Sequence, residues 1–227
     1  MLEKMSDFFE ARLDGYDEHM LTNIASADEF YPFTAAMLPT FDGCRVLDLG
    51  CGTGLELEYY FALNPTAKVT GIDLSEGMLK IGRDKCCKEG ITAELQTGDC
   101  EAMPYDEGTF DRIGVAFGVR NFENLPKGLT EMLRMLKPEG KLVILDLSIP
   151  RNPIIRWCYK LYFLKILPAI GGWVSGNRGA YEYLPSSVLR FPAPEKFMGM
   201  MQEAGFGQVR KKSFTMGICH MYIGIKK

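Results

Sequence analysis

Asp48-Leu49-Gly50-Cys51-Gly52-Thr53-Gly54 is the stretch that most restricts what this chain can become. It follows the apolar run Cys44 to Leu49 and leads into helical periodicity, so it reads as a strand, a tight turn and a helix start. Glycine lacks a Cβ, so such a turn reaches backbone conformations closed to other residues and leaves its amides exposed at the next helix's N-terminus. In an open α/β sheet that edge is where ligands bind. The spacing is GxGxG with an acid two residues before the first glycine, whereas a dinucleotide fold uses GxGxxG and keeps its amides for a pyrophosphate. Asp48 would repel a diphosphate and suits a ligand that carries an ammonium group and a sulfonium.

The rest of the chain repeats that unit. Cys44 to Leu49, Lys68 to Ile72, Ile91 to Gln96, Phe110 to Phe117 and Lys141 to Leu147 are apolar or β-branched runs of strand length. Between them, Leu125, Leu129, Met132, Leu133 and Leu136 share a helix face, with Pro126 in the first turn and Lys137-Pro138-Glu139-Gly140 as the stop. Ser75 to Cys87 forms another helix with Ser75 as its N-cap. This alternation predicts a parallel sheet covered on both faces. A helix from Pro194 to Gly205 precedes two runs, Gln208 to Thr215 and Ile218 to Ile225, joined by Met216-Gly217 as an antiparallel hairpin at the sheet edge. The expected architecture is α/β, with a central seven-stranded, mostly parallel sheet. At 227 residues it fits a single domain. Its parts are a helical cover over 1–43, a cofactor-binding core over 44–148, a substrate cover over 149–190, and a helix and hairpin over 191–227.

Two further acids share the position of Asp48. Asp73 ends the second strand, 19 residues past Gly54, where a carboxylate can accept both hydroxyls of a ribose. Asp99 follows the third strand, where it can accept from an adenine amine while the Cys100 amide donates to the ring. Any one of the three fits a helix cap after a strand; the joint pattern does not. A net charge of −3 supplies no field for a phosphodiester backbone, which argues against a nucleic-acid partner. Seven cysteines without CxxC spacing read as free thiols, His19 and His220 read as structural, and no metal site is indicated. Met1 to Lys4 lead into a charged segment without an apolar run, so a cytoplasmic location is expected.

Three acids at successive strand ends beside a GxGxG turn resemble the motif set of class I S-adenosylmethionine-dependent methyltransferases, over roughly the first 120 residues. The resemblance implies a Rossmann-like fold and S-adenosylmethionine as cofactor. It assigns the cofactor site to Asp48, Gly50, Gly52, Thr53, Gly54, Asp73, Leu74, Asp99, Cys100 and Ala116.

From about Gly98 onward the similarity narrows. Phe117-Gly118-Val119-Arg120-Asn121-Phe122, Leu136 to Gly140, Ile166-Leu167-Pro168-Ala169-Ile170-Gly171 and Tyr181 to Ser187 resemble the demethylmenaquinone and ubiquinone-precursor C-methyltransferase family. That implies methyl transfer to a ring carbon of a prenylated hydroquinone, with Arg120, Asn121 and Tyr183 as catalytic residues. Arg120 would lower a phenol's pKa, and Asn121 and Tyr183 would orient the ring hydroxyls. A surface ion pair is the plainer role for Arg120. Residues 151–174 interleave Trp157, Tyr159, Leu161 and Tyr162 with Arg151, Arg156, Lys160 and Lys165. This suits either peripheral contact with the inner face of a membrane or a cover helix packed on the sheet. A homodimer stays open.

The N-terminal part, Phe8 to Leu21 and on through Gly71 to Leu79, is more similar to general small-molecule methyltransferases. Asp146 also stands where the quinol family commonly has glutamate. A hybrid of two lineages and a divergent single-lineage enzyme both account for these residues. The competing classes are a nicotinamide dehydrogenase, disfavoured by the missing GxGxxG, and a protein that binds the nucleoside without catalysis.

Overall fold

Period-two alternation sets the sheet. Along β1 (Arg45–Leu49), Leu47 and Leu49 enter one apolar cluster and Val46 enters another, so both faces of the strand are buried. The computed structural model describes residues 13, 16–23, 27–162 and 185–227. In them β1 joins β2 (Lys68–Asp73), β3 (Ala93–Thr97), β4 (Phe110–Ala116), β5 (Leu136–Leu147), β6 (Phe206–Phe214) and β7 (Cys219–Lys226). The order is β3-β2-β1-β4-β5-β7-β6, parallel from β3 to β5 and antiparallel at β7 and β6. The mostly parallel sheet with a C-terminal antiparallel hairpin is therefore present as expected. Chain order reverses between β1 and β4, which opens a crevice above the end of β1.

The helices are α1 (Tyr16–Asn23), α2 (Ala27–Ala35), α3 (Leu57–Leu63), α4 (Glu76–Glu89), α5 (Leu125–Met135), α6 (Pro153–Leu161) and α7 (Pro194–Glu203). Their ends follow local chemistry. The Ser75 hydroxyl accepts the Met78 amide at the start of α4, and Gly90 closes that helix in the left-handed conformation. Asn124 caps α5, with Pro126 in its first turn. α5 and α7 cover one sheet face through Leu129, Met132, Phe197 and Met201; α3 and α4 cover the other through Leu57, Tyr60 and Leu79. Phe30 and Tyr31 of α2 pack beside them on Val143, Leu145 and Phe214.

One boundary differs from the sequence expectation. Lys137 to Gly140 does not separate α5 from the next strand: β5 already begins at Leu136, which pairs with Phe110. Both side chains are buried, so the strand forms early and absorbs the turn as a register shift, with Glu139 at φ 62°. Of the expected cover over 149–190, α6 and a helical stretch over 185–190 are described. The motif residues 166–171 and 181–184, Tyr183 among them, lie outside the described residues. No helix among the described residues is long and apolar enough to cross a membrane.

Candidate functional site

The glycine turn is held by its neighbours on β2. Gly50, Gly52 and Gly54 all take positive φ, at 67°, 52° and 75°. The amides of Gly50 and Cys51 donate to the Ile72 carbonyl at 2.7 and 3.1 Å. Asp73 braces the turn as well: Oδ2 accepts the Gly52 amide at 2.8 Å and Oδ1 accepts the Ser75 amide at 2.9 Å. α4 presses against the turn at Gly82, where a Cβ would lie 3.3 Å from the Thr53 carbonyl carbon. Thr53 also anchors the cover. Its hydroxyl donates to Asp17 of α1, and the same carboxylate accepts from Lys85 of α4 at 2.5 Å.

The three aspartates surround one point but are buried to different degrees. Asp48 is 2% exposed and faces Gly71 and Gly114 on the adjacent strands. Burial, then Glu56, push its carboxyl well above the usual range, against the pull of Arg112. Asp73 is half-buried; Asp99 is exposed, and its Oδ1 accepts the Glu101 amide. Burial first, then Asp73, Asp99 and Asp48, raise the Cys100 thiol to about 12.

Above them opens a cleft. Asp48, Gly50, Gly52, Thr53 and Ala116 line it, together with Glu56, Phe117, Tyr31 of α2, and Tyr16 and Met20 of α1. Of the remaining residues assigned from sequence, Asp73 stands one hydrogen bond behind Gly52 and Gly54 closes the turn with its amide on the Cys51 carbonyl. Leu74 is 46% exposed after β2, and Asp99 and Cys100 follow β3 outside the lining. The wall holds two buried carboxylates, and no lysine or arginine is among the described residues that line it. Such a wall fits a cationic, phosphate-free nucleoside and opposes a pyrophosphate.

The opposite wall comes from the end of β4. Phe117 takes φ 57°, an unusual value for a bulky residue, with its amide on the Leu145 carbonyl at 2.7 Å. Its ring meets Phe30 and Tyr31 edge-on at 5.4 and 6.3 Å. A 3₁₀ turn over Val119–Asn121 follows. Arg120 donates to Asp146 twice, from its backbone amide at 2.9 Å and from Nη1 at 2.8 Å, and Nη1 also reaches the Phe117 carbonyl. The surface-pair role is thereby corrected: the two side chains are 8% and 0% exposed, so this ion pair is buried. Asn121 sits half-buried on the same turn. Burial raises the Tyr16 phenol to about 12 while Arg120 draws it down, and the same opposition acts on Tyr159.

The sequence model of the ubiE/COQ5 methyltransferase family matches residues 3–226. A "Ubiquinone/menaquinone biosynthesis C-methyltransferase UbiE" of Geotalea uraniireducens is 36% identical over 99% of this chain and 97% of its own. A "Demethylmenaquinone methyltransferase" of Thermus thermophilus is 41% identical over 79% of this chain and 81% of its own. The chain belongs to the ubiE/COQ5 methyltransferase family. It is a methyltransferase, and the hybrid expectation is not supported: the family match starts at residue 3 and the Geotalea relative aligns through both halves. The fold is shared more widely. A SAM-dependent methyltransferase from Thermotoga maritima superposes with a TM-score of 0.68 at 20% identity, covering 98% of this chain and 100% of that one. The [4+2]-cyclase SpnF gives 0.69 at 18% identity, covering 88% and 81%. The sheet alone therefore does not fix the reaction.

Of five residues at or beneath the cleft, Tyr16 and Tyr31 were expected only as part of the helical cover and Phe117 only as part of a motif, while Glu56 and Arg112 were given no role. For two of them a signal existed. Arg112 is a charge inside the apolar run of β4, and Glu56 is an acid directly before the apolar start of α3. The aromatic residues of the cover are marked only as a mixture of aromatic and acidic positions, and which of them meet the cleft is decided once the sheet is assembled.

Proposed function

We propose that this ubiE/COQ5 family member transfers the methyl group of S-adenosylmethionine to a ring carbon of a prenylated hydroquinone of the demethylmenaquinol kind. Asp48 and the Gly50 to Gly54 turn receive the amino-acid end of the donor, and Asp73 accepts the ribose hydroxyls. Leu74, Asp99 and Cys100 take the adenine, with Ala116 below the reacting end. Bound there, the donor supplies an electrophilic methyl carbon. In this reading 44–148 hold the donor, 1–43 and 149–190 cover the acceptor, and 191–227 complete the same domain.

The observation that carries the acceptor reading is the buried Arg120–Asp146 pair beside the cleft. Arg120 opposes the burial that raises the neighbouring Tyr16 phenol to about 12. An acceptor hydroxyl in the same field would be more acidic than under burial alone, and its phenolate enriches the ring carbon that attacks the methyl group. The S–CH3 bond breaks to leave S-adenosylhomocysteine, and the methylated ring carbon gives up its proton to solvent. Asp146 keeps the guanidinium in place, Asn121 and Tyr183 orient the ring hydroxyls, and Phe117 with Tyr31 exclude water. Mass analysis after incubation with labelled S-adenosylmethionine and a panel of quinols, phenols and lipid extract should find the methyl group on carbon. Methylation on oxygen, or on no acceptor, would remove the quinol reading. Arg120→Ala should cut turnover about 100-fold or more and spare donor affinity.

The lipid tail calls for access from a membrane surface. On α6, Ile154, Trp157 and Leu161 recur at helical spacing and are 72%, 66% and 37% exposed, while Tyr159 is buried inward. Exposed Arg156 and Lys160 flank this stripe. That supports peripheral contact with an anionic leaflet. Sedimentation with anionic vesicles should show binding that weakens with salt; equal recovery without vesicles would end this part of the reading.

A further inference from the structure

Beneath the glycine turn lies a set of charged side chains that the reaction above leaves unused. Arg112, in the interior of β4, is fully buried. Its Nη2 donates to the Thr34 carbonyl near the end of α2 at 3.0 Å, and its guanidinium lies 4.6 Å from the centre of the Tyr60 ring. Nε and Nη1 make no hydrogen bond of sound geometry among the described residues. Glu56 is 5% exposed yet borders the cleft, with Oε1 held 2.6 Å from the Thr34 hydroxyl. That hydroxyl also lies 2.9 Å from the Tyr31 carbonyl, so the acid is tied to the cover helix.

Asp48 stands on the same wall. Around it are Glu56 at the start of α3, Asp73 of β2, and Arg112 of β4, whose charge opposes the two acids. Gly114 makes room for this arrangement, since a Cβ there would lie 2.9 Å from the Tyr60 hydroxyl and 3.0 Å from Arg112 Nη1. One fixed guanidinium thus faces two buried carboxylates that border the cleft. Burial and Glu56 hold the Asp48 carboxyl towards its neutral form, and a cation entering the cleft would favour its charged form beside Glu56.

We infer that Glu56 is a second carboxylate of the subsite for the donor's α-ammonium group, set in place by Thr34 and balanced by Arg112. This rests on the reading of the donor as S-adenosylmethionine and adds a specificity-determining residue to it. Glu56 touches the ligand; Thr34 and Arg112 act through Glu56 as positioning residues. The consequence is selectivity for the amino-acid end of the donor, independent of its nucleoside.

Calorimetric titration with three ligands tests this: S-adenosylmethionine, S-adenosylhomocysteine, and 5′-methylthioadenosine, which keeps the nucleoside thioether and lacks the amino-acid portion. Glu56→Gln should weaken the first two about tenfold and leave the third unchanged, about what one charge-assisted hydrogen bond supplies. Thr34→Val, which keeps the carboxylate and removes only its tether, should weaken the same two ligands by about threefold. Parallel weakening of all three ligands would mark Glu56 as merely structural, and unchanged affinity for all three would remove it from the subsite; either overturns the assignment. If the unaltered protein bound none of the three, the donor reading itself would fall.

Discussion

The two walls of the cleft are built by different physics. On the β1–β2 side, the turn is fastened by short-range hydrogen bonds: Gly50, Cys51 and Gly52 to Ile72 and Asp73, and Asp73 again to Ser75. On the β4–β5 side, the wall depends on a buried ion pair between Arg120 and Asp146, and on rings from α2 against Phe117. Those bonds fix the shape of the turn, and Asp73 is the side chain that takes part in them. A buried pair and an aromatic surface hold one charge and one ring, which suits a particular acceptor.

If that division is right, removing a charge should hurt the second wall most. Asp146→Ala leaves Arg120 buried without its counter-ion and should lower unfolding free energy by about 3–5 kcal/mol in denaturant titration. A loss below about 1 kcal/mol would mean that water reaches the pair. On the first wall, Asp73→Ala removes the acceptor of two amides and the proposed ribose contact. Donor affinity should fall about 100-fold or more by calorimetry, with an unchanged circular dichroism spectrum. Gly71→Ala probes packing behind that wall, because a Cβ there would lie 2.6 Å from Leu95 Cδ2 and 2.7 Å from Cys51 Sγ. A cost of about 1–3 kcal/mol is expected, read as a lower melting temperature.

The smallest effect concerns pH. His220 of β7 pairs across from Asp146, and burial, then Lys211, bring its pKa down to about 4. The fold favours the neutral ring, so its contribution is full above the unfolded value near 6.5 and is lost as pH falls from there towards 4. The melting temperature of the unaltered protein should therefore drop more steeply over that interval than that of His220→Gln. Identical slopes would show that the ring is not protected from protonation.

The first wall was legible because its signals are local. A glycine turn, an acid before it and an acid ending the next strand lie within residues 48–73, and the alternation that builds β1 and β2 needs no distant partner. The second wall was legible only in part. Arg120 and Asp146 each stood out, but their pairing depends on β4 lying next to β5. Tyr31, Glu56 and Arg112 meet through contacts between α2, the start of α3 and β4, which strand-length patterns do not encode. The early start of β5 was missed for a similar reason: the pairing of Leu136 with buried Phe110 overrides the turn chemistry of Lys137 to Gly140.

Three cysteines border these walls, and the acids that shape the cleft also govern their sulfur. Burial with Asp48 and Asp73 raises the Cys51 thiol, burial with Asp73, Asp99 and Asp48 raises Cys100, and burial with Asp146 raises Cys219. Only a thiolate attacks an alkylating agent or adds to an oxidised quinone readily. Burial first, and these charges after it, favour the unreactive thiol form of all three. Iodoacetamide should accordingly reach the exposed Cys87 and Cys158 and leave these three unmodified in the folded protein.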